Sequence, residues 1–111
     1  MENEINTWLE DIDLTIAEIF SFLPEKRNFL EYQKDLKGKR AIERSLEIIG
    51  EADHRILKVD PEFPITHARK IIDTRNRISH GYDTVSDDIV WGIIVRDLDK
   101  LKAEVKNLLK E

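Results

Sequence analysis

The sequence predicts an all-α protein: an antiparallel bundle of four main helices, with room for a short fifth helix. Three observations predict this fold class. Apolar residues recur every three or four positions along most of the chain, proline and glycine divide it into segments of helical length, and no stretch alternates as a half-buried strand would. The 111 residues fit a single domain, residues 1–111, with one modest core.

The first helix is predicted between Ile5 and Pro24. Its apolar residues share one face of a helix with 3.6 residues per turn; they are Ile5, Trp8, Leu9, Ile12, Ile16, Ile19, Phe20 and Leu23. Pro24 ends the helix because proline lacks a backbone N–H and its ring clashes with the preceding turn. Residues 24–38 are less periodic and indicate a connection or a short helix.

A second long helix is predicted from a stripe of apolar residues, Ala41, Ile42, Leu46, Ile49, Ala52 and Ile56. Ile48 falls outside this stripe, which indicates that a second face of the helix is also covered. Pro61 and Pro64 follow closely and cannot continue a helix, so they mark a tight connection.

A third helix is predicted over residues 65–79, and Gly81 is placed to end it. Beyond a turn, Ser86 can cap the last helix, with Asp87 and Asp88 favourably placed in its first turn. The last helix has the most regular pattern, in which the apolar residues are Val90, Ile94, Leu98, Leu101, Val105 and Leu108.

Composition and charge restrict the function classes. The net charge of −5 and the pI near 5.3 are opposite to the broad basic surface of most nucleic-acid-binding proteins. A nucleic-acid role must therefore rest on a local patch; the candidates are Lys34, Lys37, Lys39, Arg40, Lys70, Arg75 and Arg77. The apolar runs are too short to cross a bilayer, and the acidic N-terminal stretch does not resemble a signal peptide. The absence of cysteine excludes disulfides and fits a reducing cytoplasm.

The stretch RNRISHGYD, residues 75–83, carries more side-chain chemistry than the end of a helix needs. Helical spacing places Arg75 within the apolar stripe of the third helix, where a guanidinium is costly unless an anion meets it. In an unbroken helix Arg75 and His80 would lie about 140° apart around the axis. They converge only if the helix unwinds near Gly81 or if a second copy of the chain completes the site.

A purely structural interpretation of the same residues stays open. Arg75 could be a buried arginine paired with Glu43, Glu47 or Glu51 of the second helix. His80 would then interact with the dipole at the helix C-terminus, and Tyr82 would be a half-buried aromatic residue.

The pattern Arg75-Asn76-x-x-x-His80-x-Tyr82, at the end of the penultimate long helix of a short all-helical chain, resembles the HepT-like branch of the HEPN superfamily. The likeness extends over nearly the whole chain and includes IERSLEIIGEA, residues 42–52. It implies a metal-independent endoribonuclease, the toxin of a toxin–antitoxin pair, working as a homodimer whose two Arg/His motifs face one cleft. It also implies a partner, a nucleotidyltransferase antitoxin of the MNT type, that silences the toxin by transferring AMP to Tyr82.

The residue types fit this chemistry. Cleaving RNA without a metal requires a base for the 2′-hydroxyl proton, an acid for the leaving oxygen and a cation for the phosphate. His80 can act as base or acid, Arg75 can hold the phosphate, and Asn76 can orient either group. Two copies of His80 in a dimer would supply both base and acid. Tyr82 ionises near pH 10 and suits the role of AMP acceptor better than that of catalyst. No metal or other cofactor is assigned to this site.

Other candidate functional residues are supported by fewer observations. Glu51, Asp53, His54 and the distant His67 suggest a metal site, but no convincing further ligand completes the set. Trp8 and Trp91 lie among aliphatic residues and indicate core or interface rather than base stacking. The cluster KDLKGKR, residues 34–40, is typical of a solvated face, although it could guide RNA to the cleft. Two other function classes stay open: a non-catalytic module that binds a nucleotide or its nucleotidyltransferase, and a structural helical dimer.

Overall fold

The computed structural model describes residues 2–23, 28–67, 71–73 and 87–109, and every regular element in these ranges is a helix. The elements are α1 (Glu2–Ser21), α2 (Phe29–Lys34), α3 (Leu36–Val59), α4 (Asp87–Gly92), a π-helical segment (Ile93–Asp97) and α5 (Leu98–Leu109). The all-α fold class is confirmed, and the short fifth helix is α2. None of the helices in the described part of the chain has the length and apolar character needed to span a membrane.

The core forms where the apolar stripes of the long helices meet. α1 packs against both α3 and α5, as one helix of a bundle packs against its two neighbours. The start of α3 contacts the start of α4 through Lys39 and Asp87, and Glu104 of α5 contacts Thr66, which follows the end of α3. Therefore α3 and the last helical stretch run in the same direction, as alternate helices of an up-and-down bundle do.

The predicted apolar stripes are the buried ones. The fully or nearly fully buried residues of α1 are Ile5, Leu9, Ile12, Ile16 and Ile19, and those of α3 are Ile42, Leu46, Ile49, Ala52 and Ile56. Trp8, Phe20 and Trp91 are only partly buried and pack against the edge of this core. Ile48 is 40% exposed, so the second covered face predicted for α3 is open in the single chain.

Side-chain caps explain why α2 and α3 begin where they do. The Asn28 side chain accepts hydrogen bonds from the backbone N–H groups of Leu30 and Glu31 at the start of α2, at 2.9 and 3.2 Å. The Asp35 carboxylate accepts one from Gly38 N–H at the start of α3, at 3.0 Å. Each cap satisfies N–H groups that have no partner within the helix, so a new helix can begin at each point.

The last helical stretch is less regular than its sequence pattern predicts. Residues Ile93–Asp97 form a π-helical turn, which contains more residues per turn than an α-helix. Both Ile93 and Ile94 face the core ahead of Leu98, and all three are buried. Val90, Ile93 and Ile94 are spaced by three and four residues, so the burial of Ile93 also agrees with an ordinary α-helical period.

The start of the third helix also differs from its predicted position. Residues 65–67 are not helical, and residues 71–73 are. Glu104 accounts for the difference, because its carboxylate accepts hydrogen bonds from the N–H groups of Thr66 and His67 and from the Thr66 hydroxyl, at 2.6 to 3.1 Å. This clamp holds the chain in an irregular conformation after α3. The predicted cap, Ser86, lies outside the described residues.

Candidate functional site

The predicted site residues lie outside the described residues; they are Arg75, Asn76, His80 and Tyr82. The structure describes the segments on either side of them, residues 71–73 and the chain from residue 87. On the N-terminal flank, residues 71–73 are helical. Ile71 is fully buried and Asp73 is exposed, so this helix turns an apolar face towards the core at Ile71. Arg75 follows Ile71 by four residues in the sequence.

On the C-terminal flank, an ion pair joins two parts of the chain that are distant in sequence. Lys39 Nζ, near the start of α3, lies 3.3 Å from Asp87 Oδ2, at the first residue of α4. The two side chains are only 20% and 23% exposed. Asp87 follows Tyr82 by five residues, so this contact fixes the chain just beyond the predicted motif.

Three aromatic rings pack beside this ion pair. Phe29 and Tyr32 of α2 contact Trp91 of α4, with ring centroids 5.8 and 5.4 Å from that of Trp91. These contacts attach α2 to the start of the last helical stretch. Trp91 is therefore a packing residue of the monomer, as one of the two alternatives for it predicted.

Tyr32 is the most enclosed polar residue of this cluster. It is 2% exposed, and its hydroxyl has no hydrogen-bond partner among the described residues. Burial raises the pKa of the phenol well above its ordinary value, and the carboxylates of Asp87 and Glu43 raise it further. Tyr32 therefore stays neutral and inaccessible to a large reagent.

Glu43 completes the polar surroundings of Lys39. Burial raises the pKa of Glu43, and the negative charge of Asp87 raises it further, while Lys39 and Arg40 act in the opposite direction. The positive charge of Lys39 thus favours the ionised form of Glu43 in its own helix and pairs with Asp87 at the start of α4. Without its charge, the acidic groups would repel each other at this junction.

A second carboxylate site lies at the opposite end of α3. Asp53 is fully buried, and neither of its carboxylate oxygens has a hydrogen-bond partner within the described ranges. Burial, with a smaller contribution from Glu104, raises the pKa of Asp53 to about 6. The sequence contained a signal for this burial, because Asp53 lies four residues after Ile49 and three before Ile56 of the buried stripe.

The metal site considered from sequence gains no support from these positions. Asp53 is enclosed, His54 is exposed, and Glu51 forms an ion pair with Arg55 at 3.1 Å. Among the described residues, no group of three or more His, Asp or Glu side chains is arranged to hold a metal ion.

A groove with a volume of about 380 Å³ lies between α1 and α3. Trp8, Ile48 and Ala52 form its apolar part, and its charged rim consists of Asp11, Arg44, Glu47, Glu51 and Arg55. Trp8 therefore lines this groove and also packs against the core. Arg44 lies 3.6 Å from Glu47, so several rim charges are already paired within α3.

The family model and the similar proteins point to the same family. The chain matches the family described as Ribonuclease HepT-like over residues 12–108. A Thermococcus cleftensis protein named "Probable ribonuclease HepT" is 32% identical over 99% of this chain and 100% of its own length. A protein of Caldanaerobacter subterraneus subsp. tengcongensis, named provisionally as an RNase, is 34% identical over 76% of each chain. Another, from Methanocaldococcus jannaschii and also named provisionally as an RNase, is 27% identical over 99% of this chain and 91% of its own. No solved structure gives a significant match.

Proposed function

The chain belongs to the Ribonuclease HepT-like family, and we propose that it is a metal-independent endoribonuclease in which Arg75 and His80 carry out RNA cleavage. The observation that carries the proposal is the motif Arg75-Asn76-x-x-x-His80-x-Tyr82, which falls inside the matched range 12–108. The relatives named as ribonucleases, which align with most of the chain, support the same activity.

The proposed reaction is an attack of the ribose 2′-oxygen on the neighbouring phosphorus. One His80 imidazole takes the 2′-hydroxyl proton, and a second, protonated His80 gives a proton to the departing 5′-oxygen. The products are a 2′,3′-cyclic phosphate and a free 5′-hydroxyl, so atoms and protons balance without an external reagent. Arg75 contributes a positive charge to the phosphate oxygens as negative charge develops on them. Asn76 orients the imidazole or the phosphate.

This division of roles requires two copies of the chain. Each copy supplies one His80 to the motif, whereas the reaction uses a base and an acid in the same step. We therefore propose a homodimer in which two motifs share one cleft, with the contact near the third helix. The exposed Ile48 beside Trp8 offers a further apolar surface for contacts between proteins.

We further propose that the protein acts on cytoplasmic RNA as a toxin and that an MNT-type nucleotidyltransferase antitoxin silences it. The phenolic oxygen of Tyr82 would attack the α-phosphorus of ATP, pyrophosphate would leave, and the phenol proton would pass to solvent. The chain has two tyrosines, and the burial of the Tyr32 hydroxyl leaves Tyr82 as the better acceptor. The attached AMP would add negative charge and bulk beside Arg75.

The alternative function is a non-catalytic helical module that binds a nucleotide or a nucleotidyltransferase. The net charge of −5 and the groove between α1 and α3 are compatible with this alternative, because neither feature is specific to RNA cleavage. Both functions are compatible with membership of the family.

Expression in a bacterial host without any partner separates the two functions. The toxin should arrest growth, and His80→Ala should abolish the arrest while the protein accumulates to the same level. Coexpression of the nucleotidyltransferase should restore growth for the parent. Equal growth arrest by parent and His80→Ala, or no arrest by either at matched protein levels, would favour the binding module.

A further inference from the structure

One surface of this acidic chain is strongly basic. Residues 34–44 contain five of the 18 lysines and arginines but only two of the 23 acidic residues. The segment therefore has a charge of about +3 in a chain whose total is −5. We name its four exposed cations, Lys34, Lys37, Arg40 and Arg44, the α2–α3 basic patch.

The cations follow one another along the end of α2 and the start of α3, and most of them form no ion pair among the described residues. Lys37, Arg40 and Arg44 are spaced by three and four residues in α3, so they share one side of that helix. Lys34 ends α2, immediately before it. In the described part of the chain, Lys34, Lys37 and Arg40 have no carboxylate within ion-pair distance. The nearby Asp35 is engaged in capping Gly38 N–H.

The stability of α3 does not explain this arrangement. The N-terminal end of a helix carries a partial positive charge, so cations there are unfavourable and acidic residues are favourable. α2, α4 and α5 each have an acidic residue in the first turn, whereas α3 has its acidic residue, Asp35, at the N-cap and a lysine in the first turn. An anionic ligand at this end of α3 would offset the unfavourable interactions.

The patch lies at the end of the bundle where the predicted motif rejoins the described chain. Lys39, between Lys37 and Arg40 in sequence, forms the 3.3 Å ion pair with Asp87. Asp87 follows Tyr82 by five residues and His80 by seven. The patch is thus connected, through one contact, to the C-terminal flank of the proposed cleavage site.

We propose that the α2–α3 basic patch binds backbone phosphates of the RNA that flank the cleaved bond. The inference rests on the proposed function for the identity of the ligand. Lysine and arginine are the usual partners of phosphate, whereas the buried centres of protein–protein interfaces are depleted in lysine, so RNA fits this surface better than an acidic protein. The patch supplies affinity and orientation, and the chemical step belongs to the motif.

The test measures equilibrium binding of a labelled single-stranded RNA across a series of salt concentrations, in a His80→Ala background that prevents cleavage. The patch variant is Lys37→Gln/Arg40→Gln. Its matched control is Lys58→Gln/Lys106→Gln, which removes two exposed cations at the other end of the bundle. Lys37 and Lys58 are separated by about 32 Å along the axis of α3.

The control should bind as tightly as the His80→Ala protein, and the patch variant should bind about tenfold more weakly near 0.1 M salt. The slope of log affinity against log salt should decrease in magnitude by about 1.4 for the patch variant, since each lost phosphate contact on a single strand accounts for about 0.7. Thermal melts should show that the patch variant is about as stable as the parent, because the removal of unfavourable charges at a helix N-terminus offsets the lost attraction between Arg40 and Glu43.

Equal RNA binding by the patch variant and the control would overturn the inference, as would the absence of RNA binding by the His80→Ala protein. Retained RNA binding combined with lost binding of the nucleotidyltransferase would also overturn it, in favour of a docking surface for the antitoxin. If the patch variant loses RNA binding but the parent does not cleave RNA, the patch stands and the proposed ribonuclease activity fails.

Discussion

Lys39 Nζ and Asp87 Oδ2 lie 3.3 Å apart although 48 residues separate them in the sequence. This contact closes the chain on itself, because it holds the start of α4 against the start of α3. The packing of Phe29 and Tyr32 against Trp91 reinforces the same junction. The predicted motif therefore lies between two anchored positions in the sequence. Ile71 before it is buried in the core, and Asp87 after it is held by the ion pair.

Removing the charge of Lys39 should destabilise the fold modestly. Lys39→Met keeps the side-chain length but leaves Asp87 and Glu43 without their shared cation, which should cost about 1 kcal/mol. The melting temperature should fall by roughly 4 °C, as expected for a chain of this size. Combining Lys39→Met with Asp87→Asn should cost less than the sum of the two single changes. Additive losses, or an equal loss in the exposed control Lys100→Met, would show that the pair contributes nothing specific.

Asp53 should make stability depend on pH. Burial raises its pKa from an ordinary value of 3.8 to about 6, so the folded protein binds this proton more tightly than the unfolded chain does. The contribution of Asp53 to stability therefore decreases as pH rises from about 4 to about 6, and it stays lost above that range. Relative to the parent, Asp53→Asn should gain roughly 2 kcal/mol in its free energy of unfolding between about pH 4 and about pH 7.

Denaturant titrations of the parent and of Asp53→Asn at several pH values would measure this difference. Glu104→Gln should lower the apparent pKa of Asp53 only slightly, because Glu104 is the smaller of the two causes. A difference between the parent and Asp53→Asn that does not change with pH would contradict the burial of an ionisable carboxylate at this position.

The shared cleft should be visible in mixed dimers. Parent protein incubated with about a tenfold excess of His80→Ala should lose about nine tenths of its cleavage rate, because nearly every parent chain then pairs with an inactive one. Sedimentation at micromolar concentration should show a dimer for the parent and for the variant. Undiminished cleavage in the mixture, or an active monomer, would show that each chain works alone.

Silencing by AMP should depend on Tyr82. The partner nucleotidyltransferase with ATP and magnesium should add the mass of AMP to the parent and stop RNA cleavage. Tyr82→Phe should keep its mass and much of its activity, since the phenol has no proton-transfer role in the proposed reaction. Tyr32→Phe is the matched control and should be modified like the parent, because the Tyr32 hydroxyl is already buried. Modification of Tyr82→Phe would place the acceptor elsewhere.

The helical fold was predictable because its signal repeats along the chain. In α1 and α3 the spacing of Leu9, Ile12, Ile16, Leu46 and Ile49 carries the information locally, and these residues are buried as the 3.6-residue period requires. The π-helical turn at Ile93–Asp97 was not predictable in the same way. Val90, Ile93 and Ile94 keep the spacing of an ordinary α-helix, so the local pattern does not reveal the wider turn.

The flanks of the candidate site were only partly predictable. The motif is a local pattern and was identified from residue types, whereas the ion pair between Lys39 and Asp87 depends on how distant helices meet. The clamp of Glu104 on Thr66 and His67 is likewise a tertiary contact, and it explains why the third helix does not begin at Ile65. Asp53 shows the opposite case, because its place on the apolar stripe of α3 is a local signal that already indicates the burial seen in the structure.

The most direct test of the account is cleavage of RNA by the purified protein in the presence of a metal chelator, compared with Arg75→Ala and His80→Ala. Circular dichroism and thermal melts of the same samples establish that each variant is folded. The account predicts that the parent cleaves RNA with chelator present and that both folded variants lose at least about a hundredfold in rate. Full activity in folded His80→Ala, or loss of the parent's activity on chelation, would contradict a metal-independent mechanism carried by Arg75 and His80.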